Sequence, residues 1–402
     1  MYRQIVYRLC LCLSLATILN IFAFAQVPYR VAANSQPVAY AYVGSAVPAS
    51  QDATAGVITA FAVAADGSAQ PVSHTFGGIT ALTAASGFVF GVGDLGTTIN
   101  TYTPQADGSL RVTSALNVIQ TYVQGQDEYV ANLNPDRTGT ILSVGAVWPN
   151  SDFVPLAILS DGSLSYLGTT ISGCGKSQAL LTFSPDNRWA YDGCFDRYNK
   201  YGREQNGVLD GPFDFQITEP PSPLSSGACQ PVLLSSSSQG YVAVVWNGNS
   251  YMCSSNQGNL LATYAIDSDG NPALVPGSTI APQLWESAIA FDPSGTYFAL
   301  AGYTGNKTAG AIQVFKLQPD GRPISLAKPI LLSGVSNVSS VRWDGLGHLY
   351  AVGTAQDPAM CASSRAACGL YIFNVTAQGV SAAAGSPHVV ANPSSVAVLQ
   401  AR

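Results

Sequence analysis

A tight Asp-Gly turn recurs along this chain between pairs of alternating apolar runs. It stands at Asp66-Gly67, Asp107-Gly108, Asp161-Gly162, Asp269-Gly270 and Asp320-Gly321, with Gln378-Gly379 in the equivalent place near the end. Asp-Gly supplies the positive φ that short hairpin turns need, so each pair marks two antiparallel strands. Successive gaps among the six markers are 41, 54, 108, 51 and 58 residues. The gap of 108 reads as two steps of 54 with one marker lost. A period of roughly 50 residues with four short strands per unit is the signature of a β-propeller.

Seven units fit between Tyr40 and the C-terminus: 38–76, 78–115, 128–171, 177–235, 238–281, a sixth opening at 287 and a seventh at 338–390. The expected fold is therefore all-β, one seven-bladed propeller of four-stranded antiparallel blades. The closing run VANPSSVAVLQ has no blade of its own. It is expected beside the N-terminal AYAYVGS, so that strands from both termini close the ring and hide its sheet edges. Trp148, Trp189, Trp246, Trp285 and Trp343 lie in or beside apolar strand runs, where packing between blades accounts for them.

Residues 1–25 read as a signal peptide. Arg3 and Arg8 precede an apolar run from Leu9 to Phe24, and Ala23-Phe24-Ala25 has the small-x-small form of a cleavage site. Residues 26–37 then form a linker and 38–402 the single domain. The expected location is secreted or periplasmic, with no membrane-spanning segment once the leader is removed. Six cysteines remain in the mature part, an even number in an oxidising compartment. Of fifteen pairings, proximity favours Cys174–Cys194, Cys229–Cys253 and Cys361–Cys368. Only 10% of residues are charged, and loss of the leader leaves 15 cations against 23 acids. Such a balance argues against a phosphate backbone as partner, so no nucleic acid is expected. A monomer is expected.

Familiar catalytic motifs are missing. There is no Gly-x-Ser-x-Gly and no His-Glu-x-x-His. Gly175-Lys176-Ser177 ends like a phosphate loop, but its first glycine would fall on Thr170. Asp267-Ser268-Asp269-Gly270-Asn271 opens like a calcium loop, yet Ser278 stands where the closing Glu belongs. No metal or cofactor is implied. Of three histidines, His348 reads as a surface turn residue, while His74 and His388 fall in blade-connecting segments nearer a channel mouth.

Two regions carry the candidate site. Blade four lacks its turn marker and reads as holding an insertion between Cys194 and Phe215, where Arg197, Lys200 and Arg203 cluster with Tyr198 and Tyr201. The second region is the residue entering each inner strand, which borders the channel. Aligning on the turns sets Glu128 opposite Glu286, with Gln178, Pro231 and Val338 in the same column. A tube lined by Glu, Gln and Asn suits a small polar molecule. Its two carboxylates suit acid–base work if burial raises one pKa.

The AYVGS opening, the Asp-Gly turns and GDLGTTINTYTPQADGSL together resemble the lactonase-type seven-bladed propellers, the 6-phosphogluconolactonase-like family, over nearly the whole mature chain. The family's Asp-Leu-Gly-x-Asp-Arg pattern resembles Asp192-Gly193-Cys194-Phe195-Asp196-Arg197, which implies roles for Asp192, Asp196 and Arg197. In blade two Asp94-Leu95-Gly96 carries over, with Thr98 replacing the second Asp. Ser177-Gln178-Ala179 replaces the family's Pro-His, Ala288 its blade-six Glu, and Gly302-Tyr303 its Asn-Arg. The resemblance implies a small polar or anionic ligand at the channel mouth. Arg197, Glu286 and Glu128 are the candidate catalytic groups, and Asp192, Asp196, Lys200, Arg203, Gln178 and Asp94 the candidate ligand contacts. Two alternatives stand beside it: a lactone hydrolase with a rearranged site, and a non-catalytic propeller that binds a protein.

Overall fold

A computed structural model of the chain describes residues 36–45, 56–77, 79, 81–93, 96–123, 128–147, 151–173, 180–194, 197–213, 221, 229–248, 258–305, 309–355, 361 and 367–401. Pro37–Arg402 forms one compact unit. It contains seven antiparallel sheets, each with a path of four strands. The first strands of the blades are Leu82–Ala85, Tyr129–Pro135, Leu181–Phe183, Gln230–Ser236, Trp285–Phe291 and Asn337–Trp343 in blades two to seven. In blade one that place belongs to the C-terminal strand Pro393–Gln400, paired along Ala39–Ser45. First strands of neighbouring blades touch from blade two to three and from blade four through to seven, and Pro393–Gln400 contacts the first strands of both blade seven and blade two. The ring is closed by both termini, as the sequence implies.

Burial follows position in the blade. Second strands are buried on both faces because each sheet is sandwiched between two neighbours: Tyr241–Asn247, Tyr297–Tyr303 and His348–Thr354 expose at most their ends. Outer strands such as Ala69–Phe76 alternate toward solvent. Trp246 is fully buried and donates Nε1–H to Tyr264 Oη (2.9 Å), and Trp343 donates across to Ala290 O of blade six (3.0 Å). Trp148 lies outside the described residues.

The recurring turns do more than reverse the chain. Gly108, Gly162, Gly270 and Gly321 hold φ of 79–85°, and each lies against a ring at the start of the second strand of the preceding blade: Tyr40, Phe88, Trp189 and Tyr241. A Cβ on any of them would enter that ring. The Tyr40 hydroxyl donates to Ala106 O (3.1 Å) and Tyr241 to Pro319 O (3.0 Å), bonding the turns as well. This blade-to-blade latch is why the marker repeats.

Blade four keeps its marker after all. Asn206-Gly207 forms the turn, with Gly207 at φ 91° over Ile141, and Asn206 Oδ1 accepts from Val208 N (2.9 Å). Asn-Gly does the same work as Asp-Gly. What read as an insertion is the third and fourth strands of the blade, Arg197–Arg203 and Leu209–Phe213. The boundary shifts too, because Gln230–Ser236 is the first strand of blade five rather than the end of blade four.

Two histidine positions also differ from expectation. His348 is buried, not on the surface. It is the blade-seven member of the latch column, with Nδ1 on Asp344 Oδ2 (2.5 Å) and Nε2 donating to Ala65 O of blade one (3.3 Å). The Asp344 carboxylate raises its pKa. His74 lies on the outer strand of blade one, away from the inner strands. His388 packs against Phe61, where burial lowers its pKa.

Of the expected disulfides, Cys361–Cys368 is present with Cα atoms 5.3 Å apart. Cys229 is disulfide-bonded. Cys174 and Cys253 lie outside the described residues, as does the side chain of Cys194.

Candidate active site at the entry end of the channel

The inner strands share a local device. In blades three, five, six and seven the pairing register shifts one residue in from the start, between Val130 and Asn132, Pro231 and Leu233, Glu286 and Ala288, and Val338 and Ser340. Blade one shifts near the same end, between Ser395 and Pro393. Each shift leaves one inner-strand residue in a bulge: Ala131, Val232, Ser287, Ser339 and Ser394. Bulges re-aim side chains, and here the serines reach the next blade. Ser287 Oγ donates to Asn337 Oδ1 (3.0 Å), Ser339 Oγ to Ser394 O (2.9 Å), and Ser394 Oγ to Gly44 O (3.1 Å) and Ile79 O (3.3 Å). A belt of serines thus joins blades six, seven, one and two around one end of the inner strands.

Glu286 sits in this belt, immediately before the blade-six bulge and paired with Gly302. A Cβ at Gly302 would strike the Trp285 carbonyl and the Glu286 backbone. Gly302 therefore permits the local path that holds Glu286. One carboxylate oxygen, Oε2, accepts from Nδ2 of Asn259 (2.6 Å), which precedes the third strand of blade five. The other, Oε1, is buried without a hydrogen-bond partner, and so is Asn259 Oδ1. Burial pushes the Glu286 pKa up to about 7, against the opposing effect of the Asn259 bond. Near neutrality this carboxyl is therefore populated in both forms, with one oxygen free to receive or give a proton. Only Glu286 and Arg342 are charged among the residues of the seven inner strands.

Glu128 lies just before the inner strand of blade three, and the bulge register sets Val130, not Glu128, level with Glu286, so the expected pairing of the two carboxylates in one column is off by two residues. Burial and then the nearby Asp152 carboxylate raise its pKa, and Glu128 Oε2 and Asp152 Oδ1 are buried without hydrogen-bond partners. Nothing joins Glu128 directly to Glu286 among the described residues. Asp192 is buried in blade four opposite Asn199, whose Nδ2 donates to the Tyr201 hydroxyl (3.2 Å). The cations that cluster in sequence separate in space. Alternate residues of a strand face opposite ways, and the odd spacing from Lys200 to Arg203 sends them to different neighbours. Lys200 Nζ donates to Asp269 O (3.1 Å) and Asn271 Oδ1 (2.7 Å) of blade five while lying 4.6 Å over the Trp189 ring. Arg203 pairs with Asp136 of blade three at 2.7 Å. Both serve as interblade ties. Arg197 opens the third strand of blade four, but its side chain, like Asp94, Gln178 and Asp196, lies outside the described residues.

Sequence reasoning reached Glu286 and Glu128 but missed Asn259, Asp152, the serine belt and Arg342. Ser287 and Ser339 carried a usable signal, since each stands one place after an aligned column residue, Glu286 and Val338.

No family model matches the chain, and no curated protein matches it. Solved structures do. A candidate 6-phosphogluconolactonase from Bacteroides uniformis aligns over 90% of this chain and 100% of its own, with TM-score 0.64 and 16% identity. A second, from Bacteroides fragilis, aligns over 90% and 98% with TM-score 0.63 and 15% identity. The periplasmic gluconolactonase of Pseudomonas aeruginosa aligns over 90% and 100%, with TM-score 0.65 and 16% identity. At these identities the likeness is one of fold.

Proposed function

We propose that the protein binds a small polyhydroxylated ligand, of the lactone or sugar-acid type, at the entry end of its channel, with Glu286 and Asn259 as anchors. The observation that carries this reading is the pair of unsatisfied buried oxygens, Glu286 Oε1 and Asn259 Oδ1. Buried acceptors without partners are costly. Hydroxyl groups donating to each oxygen would satisfy both. The fold shared with gluconolactonase-named structures favours a ligand of that chemistry, and their printed names are the source of the lactone assignment.

The titration of Glu286 near 7 favours a second step, lactone opening. The ionised carboxylate would take a proton from a water attacking the ring carbonyl. As the new C–O bond forms and the ring C–O bond breaks, the same group would return that proton to the departing ring oxygen, giving a hydroxy acid. A group with pKa near the working pH is suited to both transfers. Export is part of the proposal: the leader-like residues 1–25 and the Cys361–Cys368 bond support an oxidising compartment.

Wild type and Glu286→Gln are to be compared against gluconolactone-type substrates and the matching acids. Ligand should bind wild type about tenfold or more tightly than the variant, since one buried charge-capable acceptor is lost. Turnover, where wild type exceeds the uncatalysed rate, should fall by about 10²-fold or more. Equal binding by both proteins rejects the site. Binding without turnover rejects only hydrolysis.

A further inference from the structure

The second charged residue of the inner strands, Arg342, has no counter-ion among the described residues. Arg342 is the sixth residue of Asn337–Trp343, and Ser287–Asn337 holds the starts of the blade-six and blade-seven strands level. At ~3.3 Å per residue it lies about 10 Å farther along the strand than Ser339 of the serine belt. Its cross-strand neighbour is Tyr350. Ser340, on the same face, accepts from Val396 N of blade one (3.4 Å), so this face looks toward the closing strand.

A guanidinium has five N–H donors. Arg342 makes one hydrogen bond, from Nη1 to its neighbour's carbonyl Val341 O (2.8 Å), and no carboxylate pairs with it among the described residues. Asp344, two positions on, is committed to Leu346 N, His348 N, His348 Nδ1 and the Tyr350 hydroxyl. The residue keeps partial solvent access, and its remaining nitrogens are not among the sealed, unsatisfied atoms. Protein surrounds it deeply enough that desolvation lowers its pKa, with no charged neighbour contributing. Arg137, another deeply placed arginine, is by contrast bonded to Phe183 O, Ser236 O and Ser236 Oγ.

We propose that Arg342 is an anion-binding group inside the channel, presenting its free N–H groups to an oxyanion such as phosphate, sulfate or carboxylate. A planar donor fork in a partly dehydrated site binds such groups in a bidentate manner, and a cation taken out of water without a partner gains most from one. This site is distinct from the Glu286–Asn259 pair and does not depend on it.

The test is thermal unfolding with sulfate, phosphate or acetate, none of which carries the hydroxyl groups proposed for the Glu286 site, added at constant ionic strength. Wild type should show a saturable rise of about 2–4 °C at concentrations well above half-saturation. Arg342→Met should lose the rise and Glu286→Gln should keep it. Response to the inorganic anions identifies a phosphate- or sulfate-type site, whereas response to acetate alone identifies a carboxylate site; either supports the proposal. Absence of any saturable rise in wild type overturns it, as does an equal rise in Arg342→Met. Loss of the rise in Glu286→Gln overturns the separation of the two sites. Should Arg342→Met fail to fold, Arg342→Lys replaces it, with half-saturation expected at about tenfold higher anion because the donor fork is lost; an unchanged half-saturation overturns the proposal.

Discussion

Glu286 couples the site to stability. Its carboxyl has an ordinary value of 4.5 and about 7 in the fold, so the folded chain prefers the protonated form. The stability this contributes is complete below pH ~4.5 and is lost as pH rises through 7, by at most about 3 kcal/mol. Glu286→Gln, which cannot ionise, should match wild type in urea unfolding near pH 4.5 and exceed it by about 1–3 kcal/mol near pH 8. Parallel pH profiles would show that the carboxyl is not held in a dry site. The residue itself was readable from its place one step inside an aligned strand. Its partner was not: Asn259 belongs to a different blade, and nothing local announces that its amide crosses the gap. The same limit misread Lys200 and Arg203. Their closeness in sequence implied one basic patch, whereas strand alternation sends them to opposite neighbours.

At the scale of elements, the turns carry an interblade contact as well as a reversal. Gly162 combines φ 85° with a Cβ position 2.6 Å from the Phe88 ring, while Gly240 has φ 92° and open space around it. Gly240→Ala should therefore cost only backbone strain, about 1 kcal/mol. Gly162→Ala should cost that plus displacement of Phe88, about 2–4 kcal/mol in all. Equal losses in urea unfolding would remove the latch from the account. The Asp-Gly markers made this repeat legible, and the blade that seemed to lack one uses Asn206-Gly207. Asn206 caps its turn as Asp does elsewhere, so a period counted on Asp-Gly skips this blade. Blade five's start was obscured differently, since Gln230–Ser236 follows directly on the polar stretch assigned to blade four.

For the molecule as a whole, period and turn chemistry were enough to read seven blades and a ring closed by Pro393–Gln400. Every unit repeats the same local rules, so errors in one do not spread. The site is harder because it is assembled from strand starts in several blades, and the bulges that aim Ser287, Ser339 and Ser394 depend on pairing rather than on composition. In the proposed site that assembly holds one carboxyl where it exchanges a proton near neutral pH. Infrared titration of the carboxyl bands, wild type minus Glu286→Gln, reads this directly. A single carboxyl converting to carboxylate with midpoint near pH 7 is predicted, and a midpoint at the ordinary 4.5 would contradict it.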